Sequence, residues 1–216
     1  MAFVAVEKVT FRFDKRQPAV IEELSFTMAK GEIVGILGAS GSGKSTLLRL
    51  IAGLEAPERG SISIDGRPIV DERSFMEPDK RGVGMVFQDY ALFPHLTVAD
   101  NITFGLHKLK RAARRSRMEE MLGLVQMKDY ARRYPHELSG GQQQRIALAR
   151  ALAPQPSVLL MDEPFSSLDA HLKAAIRSEL RQILQKAKTT CLFVSHDQAD
   201  IDAICDRILH VQEGRP

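Results

Sequence analysis

The sequence predicts an α/β fold in which a mostly parallel core sheet is flanked by helices and interrupted by a helical lobe. Three observations carry this. Short strand-like runs alternate with runs of helical spacing, the order that builds a parallel sheet. "SVLLMDE" is apolar with almost no interruption, as expected of a strand buried on both faces. From about Thr97 to Tyr134 the chain becomes polar and helical, with no strand signal.

Taken in order, "FVAVEKVTFRF", "LSFTM" and "EIVGIL" show period-two patterning between turn residues and read as short strands. "GKSTLLRLIAGL" switches to helical spacing and ends at Gly53. "SISIDG" is a strand with a turn at Asp65-Gly66, and "GVGMVFQ" is another strand. The helical lobe occupies about 97–135, closed by Pro135, and divides a core made of 1–96 and 136–216. After "LSGGQ" a helix runs to about Ala153 and is stopped by Pro154 and Pro156. The buried strand "SVLLMDE" precedes a long amphipathic helix from about Asp169 to Lys186. Then come the strand "TCLFVSH", a short helix and a last strand, "RILHVQ".

Composition excludes several function classes. With 216 residues, 44% hydrophobic and 26% charged, the chain can bury a sizeable core as one domain. Tryptophan is absent and aromatics are 6%, which suggests neither a carbohydrate platform nor an aromatic surface for nucleic-acid bases. The net charge of +3 is too small to select a partner. Cys191 and Cys205 lack metal-ligand spacing and read as buried thiols of a reducing compartment. The N-terminus has no signal-peptide pattern, and no apolar run approaches the ~18 residues of a membrane span. The expectation is a cytoplasmic protein that reaches a membrane only through partners. The basic run "KLKRAARRSR", Lys108 to Arg117, reads as a solvated helix face rather than a nucleic-acid patch.

Two segments read as phosphate sites. "GASGSGKST" follows a strand and opens a helix, the context that makes a Gly-x-x-x-x-Gly-Lys-Ser run a P-loop. In such a loop the backbone of Gly38, Ala39, Ser40, Gly41, Ser42 and Gly43 wraps a triphosphate and aims N–H groups inward. Lys44 reaches the β- and γ-phosphates, Ser45 ligates Mg²⁺, and Thr46 continues into the helix. "VLLMDEP" delivers Asp162 and Glu163 at a strand end, where open α/β sheets bind ligands. Asp162 suits the Mg²⁺ shell, and Glu163 suits polarising the water that attacks the γ-phosphate. Gln88 and His196 each end a predicted strand; Gln88 could touch Mg²⁺ and the water, and His196 the γ-phosphate. Farther along, "ELSGGQQQR" has the form of a capped helix start. Ser139 and Gln142 make a capping box there, so this too is a ready anion site.

In order, "GASGSGKST", "VFQ", "LSGGQ", "LLMDEP", "SSLD" and "SH" resemble the motifs of the ATPase subunit of an ATP-binding-cassette transporter, over essentially the whole chain. The resemblance implies an antiparallel β portion beside the core and an inserted helical lobe. It also implies a head-to-tail homodimer, with each ATP held between the P-loop of one subunit and the "LSGGQ" of the other. Ser139, Gly141 and Gln142 would then bind a γ-phosphate in trans, and Asp169 of "SSLD" would communicate across the interface. Phe13 sits where the family stacks an aromatic on adenine, with Phe11 as a near competitor. The implied partners are two integral membrane permease subunits, contacted around Gln88, and an extracytoplasmic substrate-binding protein reached through them. The implied location is the cytoplasmic face of the inner membrane, peripherally bound.

"RGVGMVFQDYALFPHLTVADNITFGL" is similar to importers of sugars, polyamines, sulfate, thiamine or ferric iron. "ALFPHLTV" and "RYPHELSGGQQQRIALARALAPQP" resemble the ferric-iron members most. Two departures accompany this. Asp200 stands where the family commonly has Glu, with little effect on catalysis expected. The sequence stops at "VQEGRP", where many such subunits continue into a β-rich regulatory domain. Either the protein does without that domain or the sequence is part of a longer one. Non-transport members fit less well. Chromosome and repair ATPases separate the two phosphate motifs by long coiled coils, whereas Lys44 and Ser139 are 95 positions apart. Translation-associated members generally carry two cassettes, and a small-molecule P-loop kinase would leave "LSGGQ" unexplained.

Overall fold

The structure, a computed structural model, describes residues 2–39, 41–166 and 170–210, with 170–172 and 175 described by backbone alone. Nine strands and six helices follow one another through these residues. They are β1 (Val4–Phe11), β2 (Ile21–Met28), β3 (Ile33–Leu37), α1 (Lys44–Ala52), β4 (Arg59–Ile64), β5 (Arg67–Val70) and β6 (Val83–Val86). The chain continues through α2 (Val98–Thr103), α3 (Arg111–Leu124), α4 (Gly140–Leu152), β7 (Val158–Asp162), α5 (Ala170–Ala187), β8 (Thr190–Ser195), α6 (Gln198–Ile204) and β9 (Arg207–His210).

Two sheets form. β6-β7-β8-β3-β9 is parallel throughout, and β2-β1-β4-β5 is antiparallel. The α/β class and the antiparallel portion are as expected. β5 is the strand that the sequence pattern does not announce. Asp65 and Gly66, at φ 51° and 71°, turn the chain straight back as a two-residue hairpin.

The parallel sheet is buried on both faces, and its strands sort their residues alternately into two cores. Leu159 and Met161 of β7, with Cys191 and Phe193 of β8, join the core shared with α2–α6. Val158, Leu160, Leu192 and Val194 point the other way, into the core made with α1 and the antiparallel sheet. This explains why "SVLLMDE" carries no period-two pattern: both faces are dry. The parallel sheet thus lies between a helical layer and a layer of α1 plus the antiparallel sheet.

The stretch 97–135 contains α2, α3 and short 3₁₀ turns. Thr97 caps α2 by accepting from the Asp100 N–H. In the basic run, Arg115 pairs with Glu119, while Arg117 donates to the carbonyls of Leu152 and Ala153 (2.9 Å each), closing the C-terminus of α4. Arg111 and Arg115 are exposed, in keeping with a solvated face. Among the described residues no helix is long and apolar enough to cross a membrane.

Candidate active site

Parallel pairing puts the C-terminal ends of β3, β7 and β8 side by side, because Leu37 pairs with Ser195 and Asp162 with Val194. The loops that follow these strands therefore open on one edge, the usual ligand edge of such a sheet. Between β3 and α1 the chain makes a tight glycine loop. Gly41 and Gly43 hold φ of 85° and 89°, and Gly43 is the N-cap of α1. A Cβ on Gly43 would meet the Val20 carbonyl oxygen at 2.9 Å, so the residue must be glycine on both counts. Lys44 is buried, and its ammonium donates to the Gly38 and Ala39 carbonyls at 2.8 and 2.7 Å. Its charge thus lies across the loop at the positive end of α1. Ser40 lies outside the described residues.

The Ser45 hydroxyl, one residue into α1, donates to Asp162 Oδ1 at 2.8 Å. This joins the helix to the end of β7. Asp162 is only 8% exposed, and burial pushes its carboxyl above the ordinary carboxylate value, against the lowering effect of the Ser45 hydrogen bond. The pair offers hard oxygen donors, one of them a carboxylate. That suits Mg²⁺, which typically takes one or two carboxylates plus phosphate oxygens. Among the described residues no group of three or more His, Cys, Asp or Glu gathers as an all-protein cage.

Glu163 leaves β7 with φ 44°, a left-handed conformation that costs a non-glycine residue about 1 kcal/mol or more. Its N–H donates to the Val194 carbonyl (3.0 Å), and its carbonyl accepts from Ser166. Held this way, Glu163 Oε2 lies 3.0 Å from His196 Nδ1, across the β7–β8 junction. Thus Ser45 and Asp162 meet, and so do Glu163 and His196. Gln88 reaches the same edge two residues beyond β6, with its side chain in solvent. Its loop is gripped from the helices. Buried Asn101 donates to the Phe93, Leu96 and Thr97 carbonyls, and Arg150 donates to those of Tyr90 and Ala91.

Phe11 and Phe13 separate clearly. Phe11 ends β1 at 5% exposure inside the core, whereas Phe13 is 60% exposed and rests edge-on against it, ring centroids 4.9 Å apart. The β1–β2 loop bearing Phe13 leads to Val20, which touches the glycine loop at Gly43.

Ser139 N-caps α4, accepting from the Gln142 N–H while Gln142 Oε1 accepts from the Ser139 N–H at 3.0 Å, a capping box as the sequence predicts. Ser139 is exposed, and a Cβ on Gly141 would come within 3.0 Å of Ile176 on α5. The side-chain hydrogen bonds of Ser139, Gln142 and Gln143 stay within residues 138–143. Asp169 lies outside the described residues. Sequence reasoning passed over Arg177 and Ser195, which interlock with Asp200 beside His196. Asp200, which stands where the family commonly has Glu, is 3% exposed, with both carboxylate oxygens hydrogen-bonded.

A glycine-wrapped lysine at a helix start, with acids delivered by a neighbouring buried strand, defines the P-loop class of nucleotide-binding folds. Comparison with known proteins narrows the class. The ABC transporter family model matches residues 21–166, and the chain belongs to that family. It is 48% identical over 197 residues to the putrescine transport ATP-binding protein of Escherichia coli, which spans 90% of this chain and 51% of that protein. It is 45% identical to an Fe(3+) ions import ATP-binding protein of Photorhabdus laumondii, covering 99% of this chain and 60% of the relative. It is 42% identical to a probable sulfate/thiosulfate import ATP-binding protein of Chlorella vulgaris, covering 98% and 88%. The chain therefore spans only about half to three-fifths of the first two relatives. Among solved structures, cbiO1 from Clostridium perfringens, part of the ABC transporter complex cbiONQ, superposes with a TM-score of 0.87 at 28% identity. That match covers 99% of this chain and 86% of cbiO1.

Proposed function

We propose that the chain is the ATP-hydrolysing subunit of a membrane importer, bound peripherally at the cytoplasmic face of the inner membrane. The carrying observation is the convergence of Ser45–Asp162 and Glu163–His196 at the edge that also bears the glycine loop. In this reading residues 38–46 bind the triphosphate and Phe13 covers the adenine. Ser45, Asp162 and Gln88 hold Mg²⁺, which when bound neutralises phosphate charge. Glu163 accepts the proton of the attacking water, with His196 orienting that carboxylate and contacting the γ-phosphate. Lys44 turns its ammonium from the loop carbonyls to the phosphates.

Fold topology favours a head-to-tail homodimer. α4 packs on β6 and returns into the base of β7, so its N-terminus points toward the nucleotide edge. β6 stands three strand spacings from β3, roughly 14 Å. This separation favours a Ser139 that serves a different triphosphate from the one in its own glycine loop. In this reading, which follows the family resemblance, Ser139, Gly141 and Gln142 are offered to the ATP of a second copy, with Asp169 communicating across the interface.

Residues 97–135 act as an inserted helical lobe within a single domain. The segment around Gln88 and "FPHLTV" receives the permease pair, a role suited to the exposed ring of Phe104, tilted against Phe93 with centroids 4.3 Å apart. An extracytoplasmic binding protein delivers cargo through those permeases, and no nucleic acid takes part. Ferric iron is the cargo suggested by "ALFPHLTV". The relatives do not favour it, since the putrescine and Fe(3+) proteins are 48% and 45% identical.

Glu163→Gln tests the reading. It should retain ATP, lower Mg²⁺-dependent turnover by about 10²- to 10⁴-fold, and elute as a dimer at saturating ATP. A monomer with parental turnover refutes it. Uptake of labelled ferric iron, putrescine and sulfate by a deletion strain assigns the cargo.

A further inference from the structure

We infer that Arg177 of α5 is a positioning residue for His196, acting through the buried carboxylate of Asp200 and the hydroxyl of Ser195. The inference rests on the role given above to His196.

His196 stands between Ser195, the last residue of β8, and Asp197, the N-cap of α6. One guanidinium secures both neighbours. Arg177 Nε donates to Asp200 Oδ1 at 2.6 Å, while Nη2 donates to Asp197 Oδ2 at 2.8 Å and lies 2.5 Å from Asp200 Oδ1 as an ion pair. Asp200 Oδ2 accepts from the Ser195 hydroxyl at 2.7 Å, and the Ser195 oxygen accepts from the Asp197 N–H at 3.0 Å. Asp197 Oδ1 meanwhile accepts from the Ala199 N–H. The backbone on each side of His196 is therefore tied to one partly buried ion cluster, and the imidazole projects from that clamped turn to Glu163 at 3.0 Å.

A simple staple between α5 and α6 would need none of this convergence. Arg181, one turn farther along α5, provides such a staple, donating to the Ile204 carbonyl at 2.8 Å and pairing with Asp206 at 3.2 Å. Arg177 directs every described bond at residues 197 and 200, and through them at Ser195. The task requires a fork of donors in one plane. A lysine, with one compact ammonium, cannot hold Asp197 and Asp200 in the same geometry. The Asp at position 200, one carbon shorter than Glu, is met by Arg177 and Ser195 together.

The test is steady-state hydrolysis of MgATP by the full chain, comparing Arg177→Lys, Ser195→Ala, His196→Ala and the doubles made with His196→Ala. Arg177→Lys and Ser195→Ala should lower kcat about tenfold or more, with KM and equilibrium ATP affinity within about twofold. In a His196→Ala background they should cost nothing further, because they act through the absent ring. Ser195→Ala leaves the ion pair intact, so it decides the matter if Arg177→Lys does not fold. Parental kcat in both single variants, or losses that multiply in the doubles, overturns the inference while leaving the His196 reading standing. Parental turnover in His196→Ala overturns both.

Discussion

Phe11 and Phe13, two residues apart, should fail in opposite ways when truncated. Phe11 is buried at the end of β1, where its carbonyl accepts from Val20 and its ring packs in the antiparallel-side core. Phe→Ala at such a site costs about 3–5 kcal/mol. For a chain of this size about 4 kcal/mol corresponds to a fall of roughly 8–16 °C in Tm. Phe13 is mostly in water and contributes to stability chiefly through its edge-to-face contact with Phe11, worth about 1 kcal/mol. Its Tm should drop by only about 2–4 °C. Base stacking on an aromatic is worth about 1–3 kcal/mol, so Phe13→Ala should weaken ATP binding about 5- to 150-fold. Calorimetry reads both quantities, with inorganic triphosphate as the control ligand because it has no base to stack. Parental ATP affinity in Phe13→Ala, or an equal loss for ATP and triphosphate, would refute the assignment of Phe13 to the adenine.

Asp162→Asn should separate stability from function. Burial raises the Asp162 carboxyl above its ordinary value of 3.8, so the folded state holds the proton more tightly than the unfolded chain. Stability then falls as pH rises from about the unfolded value through the raised folded one. Without Mg²⁺ the Asn variant should melt higher than the parent at pH 7, and the gain should vanish toward pH 4. A variant that melts lower at pH 7 contradicts the sign. Ser139→Arg removes a cap worth about 1 kcal/mol but should leave ATP binding to the monomer unchanged while abolishing turnover. Surviving turnover in that variant would reduce Ser139 to a helix cap.

Most of the site is legible in the sequence because its parts are local. A glycine loop between a strand and a helix, an acidic pair after an apolar run and a capping box each show their chemistry within about ten residues. The helix starting at Ser139 and the strand ending at Asp162 fall where patterning puts them. β5 escapes notice because "RPIV" is four residues long and half exposed, too short for periodicity to register. Arg177, Asn101 and Arg150 are invisible for another reason. Each acts on backbone or carboxylates 4 to 60 positions away, and an isolated Arg or Asn in a helix has no local signature.

The sequence by itself determined the α/β class and the order of elements, and it offered the candidate groups for phosphate and metal, since these depend on short-range pattern and side-chain chemistry. Only the tertiary structure decided which of them meet. Ser45 and Asp162 are 117 positions apart, yet parallel pairing and the packing of α1 bring them within 2.8 Å. Burial separates Phe11 from Phe13, a difference that two neighbouring aromatics in one motif cannot reveal. Asp200 gives no local signal along the chain, but the turn out of β8 brings it onto the Ser195 hydroxyl, where Arg177 from another helix neutralises its charge.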